Sequence, residues 1–97
     1  MNSISENAIS KIKDYEGYIE FISQYRRYSF DELSYIRWTI REVIQLIQKC
    51  DYIPPLIVIE NFQTTVQKYS EMNQKTMYVF SIMNNTVQDI IDYLIST

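Results

Sequence analysis

The chain has 97 residues, 46% of them hydrophobic, with a net charge of −3 and a pI of about 4.8. That length makes a single domain, residues 1–97, able to bury a core without staples, and the apolar share argues against disorder. The acidic balance argues against the basic stripe of a nucleic-acid-binding surface, since the only adjacent basic pair is Arg26-Arg27.

The chain has one glycine and two prolines, and no Asn-Gly or Asp-Gly dipeptide to make a tight hairpin turn, so helices are expected throughout. The first helix is predicted over about 4–27. Ala8, Ile12, Tyr15, Ile19 and Ile22 recur at steps of four and three, Ile4 extends the series, and Gly17 interrupts it. Arg26 and Arg27 suit the negative end of that helix.

Ser29-Phe30-Asp31-Glu32 has the form of a capping box, and the second helix is predicted over 30–49. The short link makes the first two helices an antiparallel hairpin. Leu33, Ile36, Ile40, Val43, Ile44 and Ile47 form its apolar stripe.

Asp51 to Pro55 breaks the chain, because the residue before a proline avoids helix and a proline is tolerated at a first helical position. The third helix is predicted over 55–70, with Ile59, Phe62, Val66 and Tyr69 on its buried face. Leu56-Ile57-Val58-Ile59 is β-branched enough to begin as a strand instead, although no second strand exists to pair with it. Ser70 to Lys75 reads as a loop. The fourth helix is predicted over 76–95, with Phe80, Met83, Val87, Ile90 and Leu94 in a stripe widened by Val79, Ile82, Ile91 and Ile95. That width predicts the most buried helix. The expected fold is all-α, a compact antiparallel four-helix bundle with the fourth helix central.

The chemical inventory is short. Without histidine the chain lacks the usual general base near neutral pH, and one cysteine cannot build a zinc site. Cys50 would sit at a helix C-terminus, where the dipole does not lower its pKa. No glycine-rich phosphate loop occurs. Neither an enzyme nor a metal or other cofactor is expected. The lone cysteine fits a reducing cytoplasm. The N-terminus lacks the pattern of a secretory signal, and no run approaches the roughly 18 apolar residues of a membrane span.

Three constellations remain as candidate partner-binding surfaces. Tyr18, Phe21, Tyr25 and Tyr28 lie to one side of the first helix's stripe, as an aromatic ridge or as the edge of a wide buried arc. Trp38 falls roughly 160° from Ile40 around the second helix, at about 100° per residue, among Tyr35, Glu42 and Leu46. Glu42, one turn on, is a candidate partner for its indole N–H, and a loop or terminus could cover the ring. If the first two helices pair, Tyr28 and Tyr35 lie near one end and these patches could merge. Asp89 and Asp92 sit in the last turns of the fourth helix, where negative charge opposes the macrodipole and the two repel each other. They suit a basic partner, or a Lys or Arg from another helix.

Nine tyrosines supply contact area at low entropic cost. The expected function is stoichiometric protein binding by a small cytoplasmic inhibitor, of the immunity-protein, antitoxin or phage-antagonist type. The competing expectation is a helical subunit that forms homodimers or larger assemblies through apolar faces. A dimeric nucleic-acid-binding regulator ranks below both, because it would need Arg26, Arg27, Arg37 and Arg41 to converge.

Overall fold

A computed structural model describes residues 3–50, 52–72 and 77–96. It contains four helices: α1 (Ser3–Ile22), α2 (Phe30–Lys49), α3 (Pro55–Met72) and α4 (Met77–Ile95). No strand occurs among the described residues. The helices run up-down-up-down, as cross-helix contacts show. Glu20 near the end of α1 meets Arg37 in the first half of α2. Tyr69 near the end of α3 stacks on Phe80 at the start of α4. Tyr78 at the start of α4 meets Glu32 at the start of α2. The bundle measures 38 × 34 × 21 Å, so its thin dimension is about two helix diameters and every helix keeps one face in water.

Among the described residues, Ile12, Ile40, Val43, Ile47, Ile59, Val87 and Ile90 are the hydrophobic side chains less than 2% exposed, and every helix supplies at least one. Burying one such side chain contributes about 1.5–3 kcal/mol. α4 lies against all three other helices, packing most closely on α3 and α2. It is not the most buried helix: among the described residues α1 buries six, one more than α4. Its first turn, with Met77 and Tyr78, and its polar positions at Asn85, Gln88, Asp89 and Asp92 remain exposed. Thr39 and Thr86 are also buried, and each hydroxyl donates to the carbonyl four residues earlier, Tyr35 O at 2.7 Å and Ile82 O at 2.8 Å.

The predicted bounds of α2 are reproduced. Its cap is half of the expected box. Ser29 Oγ accepts from the Glu32 N–H at 3.1 Å. The Glu32 carboxylate does not reach back; it accepts from the Tyr78 hydroxyl at 2.8 Å and ties the starts of α2 and α4 together.

α1 ends at Ile22, five residues before the predicted 27. Ser23 Oγ donates to Glu20 O at 2.8 Å, competing for a helical carbonyl, and Tyr25 N–H donates to Ile22 O at 3.0 Å in a tighter turn. Arg26 and Arg27 therefore do not close the helix. Residues 23–29 form a link long enough for Tyr28 to fold back onto the core.

Residues 56–59 are helical. Val58 and Ile59 are buried while Ile57 is 46% exposed, a helical rather than alternating pattern. The Pro54 carbonyl accepts from the Ile57 and Val58 N–H groups and begins α3. The helix runs to Met72, so the expected loop is partly helical, and residues 73–76 lie outside the described part. Asp51 of the predicted break does too. Tyr69, expected to be buried, is exposed and stacks on Phe80.

Candidate functional site

Two grooves flank α4. The first lies between α1 and the C-terminal half of α4, with a volume of about 530 Å³. The tyrosines Tyr15, Tyr18, Tyr28 and Tyr93 line it, together with Asp89, Asp92 and Arg26. Tyr15 belongs to the buried stripe of α1, and its ring meets that of Tyr93 at 5.8 Å with a 49° tilt. Tyr18 is on the same side of α1 but 55% exposed. Tyr28 arrives from the α1–α2 link, half-buried against the core.

The electrostatics of this groove follow from that placement. Burial, and after it the Asp89 carboxylate, push the Tyr15 hydroxyl above the usual phenol range. Partial burial and then Asp92, one turn away, raise the Asp89 carboxyl above the ordinary carboxylate value, and its hydrogen bond with Tyr15 offsets part of the shift. Asp92 accepts from Gln88 Nε2 at 2.9 Å. Neither aspartate forms an ion pair among the described residues, although Arg26 stands in the same groove.

The second groove, about 400 Å³, lies between α2 and the N-terminal half of α4. Ser34, Tyr35, Trp38, Val79 and Met83 line it, and none carries a charge. Trp38 is 48% exposed. Among the described residues, neither the 52–55 segment nor a residue near either end of the chain lines its groove. Trp38 lies opposite the apolar stripe yet borders a neighbour, because α4 crosses α2 on the Tyr35 side. Among the described residues no hydrogen bond links its indole to Glu42. Glu42 and Leu46 are half-buried one and two turns further along α2 and lie outside the groove, Leu46 packing on the core instead.

The candidate residues are thus regrouped. Tyr18 and Tyr28 join Asp89 and Asp92. Tyr35 stays with Trp38 in the other groove, so the two aromatic patches do not merge. Phe21 and Tyr25 line neither groove; they are exposed and pair with each other at 5.3 Å, Tyr25 from the turn after α1. Tyr15, Tyr93, Val79 and Met83 are additions. Three of these four look like core positions in the sequence. Tyr93 carries one weak signal, its place one turn after Asp89.

Two of the four arginines named above take different partners. Arg37 donates to Glu20 through Nε at 2.5 Å and Nη2 at 2.7 Å, a bidentate pair joining α1 and α2. That bond lowers the Glu20 pKa and raises that of Arg37. Arg26 faces the tyrosine groove instead. Cys50 caps α2, half-buried against the core. Among the described residues no three of His, Cys, Asp and Glu come together to hold a metal ion, and no helix is long and apolar enough to cross a membrane.

No protein-family model, no curated protein and no solved structure matches this chain.

Proposed function

We propose that the chain is a protein-binding module without chemistry of its own, acting as a stoichiometric inhibitor in the cytoplasm. The convergence of Tyr18, Tyr28, Asp89 and Asp92 in one groove carries this reading. Exposed tyrosine is a preferred interface anchor, and a carboxylate pair facing a groove favours a partner of opposite charge. The scaffold beneath is rigid helix, so binding does not have to order a loop.

The test is capture of a partner on the tagged chain, with the Tyr18→Ala/Tyr28→Ala double variant as control. The captured protein is then purified and recombined with the chain. A 1:1 complex by light scattering, loss of the partner's own activity, and at least tenfold weaker binding by the double variant are expected. A partner whose activity is untouched by saturating amounts of the chain would remove the inhibitor reading.

The uncharged groove at Trp38 favours a second reading, self-association. A half-exposed tryptophan beside its own apolar groove is a self-complementary patch, the arrangement a two-fold interface uses. A monomeric mass at all accessible concentrations would exclude it.

A further inference from the structure

We infer that the groove between α1 and α4 receives a positively charged side chain, lysine or arginine, presented by the protein partner. The inference rests on the protein-binding reading and names what that site recognises. Four tyrosines and two aspartates line one groove. Aromatic rings attract cations through their negative faces, and the attraction grows when water is partly excluded. The carboxylates add net negative charge that the α4 dipole opposes, since both lie near the helix C-terminus. No cation of the described chain pairs with them. Burial first, and then the neighbouring Asp92 carboxylate, raise the Asp89 pKa, and an incoming cation would relieve the part due to Asp92. Arg26 lines the groove without pairing and is the internal competitor for the place.

The test is a nuclear magnetic resonance titration of the full chain with a twelve-residue peptide alternating arginine and serine. The same peptide with citrulline replacing arginine is the neutral control. Shifts are expected to gather at residues 15–28 and 89–96, with none for the citrulline peptide. Asp89→Asn/Asp92→Asn is expected to weaken binding at least tenfold. A charge-matched variant at exposed positions outside this groove, Glu6→Gln/Glu60→Gln, is expected to weaken it less than threefold. Equal weakening by both double variants would mean diffuse attraction to an acidic surface and would overturn the inference. Arg26→Gln provides an independent arm: two- to threefold tighter binding is expected, and weaker binding would count against the site. A captured partner indifferent to Asp89→Asn/Asp92→Asn would remove the cation site while leaving the protein-binding reading intact. Peptide binding at this groove without any captured partner would do the reverse.

Discussion

The two grooves share a wall and differ in what faces it. α4 contributes Asp89, Asp92 and Tyr93 to one and Val79 and Met83 to the other. α1 answers the first with tyrosines, while α2 answers the second with Tyr35 and Trp38. One groove is acidic and aromatic, and the described lining of the other carries no charge. A single helix can therefore serve two recognition chemistries when its two halves meet different neighbours. Which neighbour it meets is a property of the packing. Groove chemistry separates the two proposals: a charged partner belongs to the α1 side, a second copy to the α2 side.

The largest perturbation tests whether both grooves depend on one core. Ile90 is fully buried in α4 beside Asp89. Ile90→Ala is expected to cost about 2–5 kcal/mol, read as a lower urea midpoint at unchanged slope. That is a large share of the roughly 5–15 kcal/mol that stabilises a domain. Loss of one groove's binding with the other untouched would show that they are mechanically independent.

Trp38→Ala is expected to cost about 1 kcal/mol, because only half of the ring is buried. Its sharper readout is fluorescence, which has a single source. Acrylamide should quench Trp38 at high dilution. A blue shift and protection that grow with protein concentration would assign the α2 groove to self-association; unchanged quenching at every concentration would leave it without that role.

Gly17→Ala should move the other way. Gly17 is helical, no heavy atom lies within 4 Å of an added Cβ, and its φ is not positive. A gain of about 1 kcal/mol is expected, seen as a higher melting temperature, with peptide binding at the neighbouring Tyr18 unchanged.

The smallest effect is a pH dependence. The raised pKa of Asp89 means that the folded state holds this proton more tightly than the unfolded chain does. Its contribution to stability therefore falls as pH rises from the ordinary value of 3.8 through the raised folded value. Asp89→Asn should be more stable than the parent at pH 7 by a few tenths of a kcal/mol, the scale of dipole and like-charge effects, and the difference should vanish below pH 3.8. A difference that persists at low pH would assign the effect to packing instead.

Much of the bundle was legible in the sequence because helical periodicity, proline breaks and the Ser29 cap are local signals. Ile12, Ile40, Ile59 and Ile90 fall on their stripes, and α2 begins after its Ser29 cap and ends at Lys49, ahead of the proline break. The end of α1 was less legible. Arg26 and Arg27 are good C-terminal residues, but Ser23 and the need to bring Tyr28 to the core stop the helix earlier.

The candidate site divides in the same way. By itself the sequence determined which residues were out of place: a tryptophan opposite its stripe, tyrosines off theirs, and two aspartates at the wrong end of a dipole. Their grouping waited for the tertiary structure. Tyr18 and Asp89 are far apart in the chain, and only the packing of α1 against α4 puts them in one groove. Glu32 was expected to cap its own helix, yet it bonds Tyr78 across the bundle. The physical reason is range: periodicity and capping act within a turn or two of helix, whereas a groove is the gap between two helices.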